Sequence, residues 1–147
     1  LVLQHADALR FDRVEVLGEF FRLAYVRNPG AAMGLTPFGR WVLVSISAGA
    51  AVLLIWFLVT TPPALRMRRL AMGLILGGAL GNLVDRVFYD GLVVDFLDFG
   101  LGTARFWTFN IADIGVTCGG VLLLICLLAD EWRDRRRRQA PTAVDHE

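Results

Sequence analysis

Trp41 to Thr60 reads WVLVSISAGAAVLLIWFLVT, twenty residues without a charge. At about 1.5 Å per residue, a helix of that length spans roughly 30 Å, the thickness of a bilayer's hydrocarbon core. The 147-residue chain is 56% hydrophobic and 20% charged. One small soluble core cannot hide that many apolar side chains, and a disordered chain would hold far fewer. Two shorter apolar runs follow. Leu70 to Val84 (LAMGLILGGALGNLV) is closed by Asp85 and Arg86, and Ile114 to Ala129 is entered through Asn110 and Asp113. With their polar ends at a membrane face, both become long enough to cross. Membrane helices are therefore expected over 41–60, 70–88 and 110–129, within a single membrane domain over 1–147. Gly77 and Gly81 form a GxxxG pair, a pattern that lets helix backbones approach closely in lipid.

Arginine density orients the helices. The connector Thr61 to Arg69 carries Arg66, Arg68 and Arg69 with no acid, and EWRDRRRR follows the third run. The positive-inside rule puts both in the cytoplasm, so 130–147 is a basic cytoplasmic tail, free to touch anionic lipid. Residues 1–40 and the loop 87–109 then lie outside. The apolar stub at Leu1 suggests the end of a preceding export helix. RVEVLGEFFRLAYVR, from Arg13, favours two short strands around Gly18, and NPGAAMG breaks the pattern after them. A small extracytoplasmic β unit over 13–34 is expected. Trp41, Trp56, Trp107 and Trp132 sit near the ends of runs, as in an aromatic belt. The net charge of +1 gives no reason to expect nucleic acid. Cys118 and Cys126 lack CxxC spacing, and His5 and His146 lie near opposite ends, so neither a disulfide scaffold nor a metal site is supported.

The acids gather at one face. Asp85 closes the second helix, Asp95 and Asp98 lie in VVDFLDF, and Asp113 opens the third helix eighteen residues after Asp95. Carboxylates bordered by Val and Phe are costly to desolvate. Two held close together share a proton, so one accepts a proton from water while the other donates to a carbonyl or a leaving amine. Such chemistry needs no metal and no nucleophilic side chain. Other readings stand beside it. Asn110 and Asp113 also fit a helix N-cap and its third-position acid. Asp85 beside Arg86 reads as structural, with Arg86 and Asn82 on one helix face. Asp98 and Asp90 read as solvated loop acids. Asp95 also fits a surface strand with one wet position.

NPGAAMG (Asn28 to Gly34), GNLVDR (Gly81 to Arg86), VVDF (Val93 to Phe96) and FNIAD (Phe109 to Asp113) together resemble lipoprotein signal peptidase, also called signal peptidase II. The four motifs keep the order and similar intervals of this bacterial intramembrane aspartic peptidase family. The resemblance implies an all-α membrane bundle of four helices with a small extracytoplasmic β cradle, residues 1–9 being the end of the first helix. It maps the catalytic pair onto Asp95 and Asp113, and supporting or substrate-binding roles onto Asn28, Gly30, Asn82, Asp85, Arg86 and Asn110. It also implies an inner-membrane, multi-pass enzyme without a cofactor, expected to be monomeric and surrounded by membrane lipids. Its substrates would be diacylglyceryl-modified prolipoproteins, cleaved before the lipidated cysteine at the extracytoplasmic face. Three features depart from the family pattern. Met33 stands where an aromatic residue is usual, RFWT lacks a common proline, and the first-helix motif with its acid and lysine is absent. The last leaves open the activity of this chain by itself.

A small transporter or channel subunit, with Asp85, Asp95 and Asp113 as proton or cation sites, is the rival from another class. It would place its acids nearer the bilayer midplane and use longer or repeated helices. A structural assembly subunit would leave the acids unexplained.

Overall fold

The structure, a computed structural model, describes residues 13–29 and 39–139. The expected stub over 1–9, the part of the NPGAAMG loop that includes Gly30, and residues 140–147 lie outside the described residues. Three helices carry the apolar runs: α1 (Arg40–Thr60), α2 (Arg66–Phe88) and α3 (Ile111–Gln139). Each is long and apolar enough to cross a membrane. In the apolar windows of α1 and α3 only 6% of residues are buried. Large side chains such as Ile46, Val52, Val59 and Leu124 therefore face outward. Such a surface suits lipid and would drive aggregation in water.

The helix ends follow local chemistry. α1 stops because Pro62 and Pro63 have no N–H to offer, and Thr61 before them takes extended backbone (φ −74°, ψ 126°). α2 starts at Arg66, four residues ahead of the expected Leu70. Cations are unfavourable at a helix N-terminus, and an ion pair from Arg68 to Asp130 on α3 offsets this. α3 runs to Gln139, ten residues beyond the expected Ala129, so the first part of the basic tail is helical. Arg133–Asp130 and Arg135–Glu131 pairs, with Arg136 stacked 3.9 Å over the Trp132 ring, support those extra turns.

α2 packs against both α1 and α3. The close seam with α3 runs through Gly78, Gly115 and Gly119. A Cβ at Gly78 would fall 2.2 Å from the Ala112 carbonyl oxygen, and one at Gly119 would fall 2.7 Å from that of Ala71. Gly77 faces open space, and Gly81 meets only the Ala112 Cβ at 3.2 Å. GxxxG spacing defines a helix face, but it does not say which of several adjacent glycines faces the neighbour.

Beyond α2 the chain turns through Asp90 (φ 55°), with the Gly91 N–H bonded to the Arg86 carbonyl at 2.9 Å. This left-handed C-cap sends the chain straight into the sheet. β1 (Val14–Leu17), β2 (Phe21–Asn28), β3 (Val93–Leu101) and β4 (Ala104–Arg105) form one antiparallel sheet in the order β1-β2-β3-β4. β1 and β2 flank Gly18, whose φ of +52° makes the turn. On the β2–β3 ladder, Asn28 faces Val93, Val26 faces Asp95 and Arg22 faces Asp98. The other edge of β3 meets the chain just before α3. Leu97 N–H donates to the Phe109 carbonyl at 2.8 Å and Phe109 N–H to the Leu97 carbonyl at 3.1 Å. Phe99 stacks on Phe21 (4.6 Å) and Phe109 (5.8 Å), while Val93, Val94, Leu97 and Ala24 are buried. This packing brings the start of α3 to the middle of β3.

Candidate active site

Asn110 and Asp113 form a reciprocal cap at the start of α3. Asp113 N–H donates to Asn110 Oδ1 and Asn110 N–H donates to Asp113 Oδ2, both at 3.1 Å. Two helix-start donors are satisfied in this way. The capping interpretation is therefore correct, yet the same residues reach further. Asn110 Nδ2 donates to Asp95 Oδ1 at 2.8 Å and to Asn82 Oδ1 at 3.1 Å. Asn82 Nδ2 in turn donates to Asp113 Oδ1 at 2.9 Å. From the end of β2, Asn28 Nδ2 donates to Asp95 Oδ2 at 2.8 Å. Every oxygen of the two carboxylates thus accepts a hydrogen bond, and three asparagines from three segments join them in one network.

Asp95 is 2% exposed and Asn110 5%. Asp95 is not the wet position of a surface strand. Burial raises its pKa above the ordinary carboxylate range, against the hydrogen bonds from Asn28 and Asn110. The charges of Asp113 and Asp85 push it the same way as burial.

The other expected residues surround this network. Asp85 Oδ2 accepts the Val94 N–H at 3.0 Å, tying α2 to β3 next to Asp95. Arg86 Nη1 donates to the Asn82 carbonyl at 3.2 Å, as their shared helix face suggests. Gly30 lies outside the described residues. Asp98 requires a correction. It is 1% exposed, not solvated, and its carboxylate binds Arg13 and Arg105. Arg13, just before β1, lies 85 residues away in sequence, and Arg105 on β4 is brought back onto Asp98 by the β3–β4 turn. Among the described residues, no group of three or more His, Cys, Asp or Glu side chains could hold a metal ion.

The signal peptidase II model matches residues 1–129. The chain belongs to the signal peptidase II family. Its relatives agree. The lipoprotein signal peptidase of Syntrophomonas wolfei is 46% identical over 115 residues, covering 78% of this chain and 72% of the relative. That of Desulfitobacterium hafniense is 40% identical over 125 residues, covering 85% and 80%. A bacterial membrane enzyme solved by the in meso method at 2.3 Å superposes with a TM-score of 0.77 at 29% identity, covering 99% of this chain and 84% of that one. A second, solved at 1.9 Å, gives 0.73 at 33% identity, covering 88% and 84%. Members of the signal peptidase II family are proteases, and the hydrogen-bonded acids lie on the motifs that carry the resemblance.

Proposed function

We propose that this signal peptidase II removes signal peptides from diacylglyceryl-modified prolipoproteins as an aspartic endopeptidase, cutting on the amino side of the lipidated cysteine. One observation carries the reading: Asp95 and Asp113 are joined through Asn110 and Asn82 in a single hydrogen-bonded network. One carboxylate takes a proton from water, and the water oxygen attacks the scissile carbonyl. The other carboxyl gives its proton to the carbonyl oxygen. Collapse of the resulting diol then breaks the C–N bond as a proton passes to the leaving nitrogen. The acid and base roles belong to the pair and not to either residue. Asn28 and Arg86 orient the substrate carbonyls or the loops that carry the acids.

Arginine density supports cytoplasmic ends for α2 (amino-terminal) and α3 (carboxy-terminal), with the sheet and the acids at the extracytoplasmic face of the inner membrane. There the lipid anchor stays in the bilayer while the scissile bond meets interfacial water. The protein acts as a monomer without a cofactor.

In the membrane-embedded protein, Asp95→Asn and Asp113→Asn should each abolish prolipoprotein processing while leaving the fold intact. Normal cleavage by either variant overturns the mechanism. Ion-dependent flux in vesicles without cleavage would establish the transporter reading instead.

A further inference from the structure

Asp98 lies three residues beyond Asp95 on β3, 1% exposed. A carboxylate so buried is costly unless its oxygens are matched by charge and hydrogen bonds. Both oxygens are matched. Arg13 Nη1 donates to Oδ2 at 2.9 Å, and Arg105 approaches Oδ1 with Nε at 3.0 Å and Nη2 at 2.9 Å. Arg105 does more than neutralise it. Its Nη2 also donates to the Asp98 carbonyl, and its Nη1 to the carbonyl of Glu19 in the β1–β2 turn. One guanidinium fork therefore joins β4, β3 and the β1–β2 turn, while Arg13 adds the start of β1. Beside Asp98 is Leu97, whose paired backbone bonds hold Phe109, the residue before Asn110.

We propose that Asp98, gripped by Arg105 and Arg13, is a positioning residue for the Asp95–Asp113 pair, holding β3 in the place where Leu97 anchors Phe109 and sets Asn110 against Asp95. The proposal rests on the peptidase reading of that pair. Its distinguishing consequence is chemical. The groups facing Asp95 are Asn28 from β2, Asn110 and Asp113 from the start of α3, and Asp85 from α2. If β3 shifts and Asn110 withdraws, Asp95 loses a hydrogen bond that favours its ionised form while the neighbouring acids remain. Its proton affinity rises, and the acid limb of the pH–rate profile moves to higher pH. A lesion that only unfolded part of the population would lower the rate equally at every pH.

The test measures prolipoprotein processing by Asp98→Asn, Arg105→Lys and Arg13→Gln in the full chain, normalised to folded protein, across pH. Asp98→Asn should lower kcat about tenfold with KM within about twofold, since a small misplacement of catalytic groups acts on the chemical step. The acid limb should move up in pH. Arg105→Lys keeps the charge but cannot serve three acceptors with one fork, so it should behave like Asp98→Asn. Arg13 is half exposed and supplies one contact, so Arg13→Gln should show a smaller change of the same kind. If Asp98→Asn does not fold, Arg105→Lys and Arg13→Gln decide. Wild-type kcat in the folded variants, or a rate loss with an unmoved pH profile, overturns the proposal. Asp95→Asn is run alongside. Full processing by that variant would defeat the acid-pair reading itself, whereas its inactivity beside a normal Asp98→Asn defeats only the clamp.

Discussion

Asn110 holds Asp95 Oδ1 at 2.8 Å with the amide nitrogen of the same side chain whose oxygen caps α3 on the Asp113 N–H at 3.1 Å. The first turn of a membrane helix and the orientation of a buried acid on a strand therefore depend on one residue.

Those two tasks separate by mutation. In Asn110→Ser the hydroxyl can still cap the helix, but it is too short to bridge to Asp95 and Asn82. Asn110→Ala loses both functions, including a cap worth about 1 kcal/mol. Both variants should lose processing by about a hundredfold or more. Only Asn110→Ala should also lower the thermal midpoint in detergent. A nearly active Asn110→Ser would show that the bridge to Asp95 is dispensable.

Much of this architecture was legible in the chain, and what escaped did so for physical reasons. α1 could be read almost residue by residue, because a charge-free run ending in Pro-Pro has one reasonable structure. The extra turns of α3 escaped because hydropathy stops at Ala129, whereas helix propensity and the Glu131–Arg135 pair do not. The resemblance pointed to Asp95, Asp113 and the three asparagines alike, but the hydrogen bonds that join them are a tertiary arrangement that no motif spells out. Asp98 was misread for the same reason: Arg13, one of its partners, lies 85 residues away in sequence.

The pH dependence of stability should isolate Asp95. Burial raises its folded-state pKa above the unfolded value, so the native protein prefers the protonated form. Its favourable contribution is fully present below the ordinary carboxylate pKa and is lost as pH rises through the raised value. Asp95→Asn is neutral throughout. The midpoint of the wild type relative to Asp95→Asn should therefore fall as pH rises across that window. A difference that stays constant with pH would contradict a raised Asp95 pKa.

The α2–α3 seam makes a paired prediction from adjacent glycines. Gly78→Ala would drive a methyl group to 2.2 Å from the Ala112 carbonyl oxygen and 2.8 Å from Val116 Cγ2. Backbone cannot yield cheaply there, so the cost should be at least the 1–3 kcal/mol (roughly) typical of overpacking. Because Ala112 adjoins Asp113, activity should fall as well. Gly77→Ala meets nothing within 4 Å and should match or slightly exceed the wild type in stability. Comparing the two melting curves tests whether Gly78, and not the GxxxG pair, forms the contact.

Asp85 offers a last test, in which a backbone bond and a charge effect come apart. Its Oδ2 accepts the Val94 N–H at 3.0 Å, and its charge helps to raise the Asp95 pKa. Asp85→Ala leaves that N–H without its acceptor, a loss of about 1–3 kcal/mol if water cannot replace it. Asp85→Asn can keep the acceptor through its amide oxygen while removing the charge, so it should hold most of the wild-type stability. With one fewer anion nearby, Asp95 releases its proton more readily. The acid limb of Asp85→Asn should therefore move to lower pH, opposite in direction to the shift expected for Asp98→Asn. pH–rate profiles of the two variants measured side by side check the sign. Coincident shifts would mean that both act through general loosening of β3, and that the local charge on α2 has no separate influence on the acid pair.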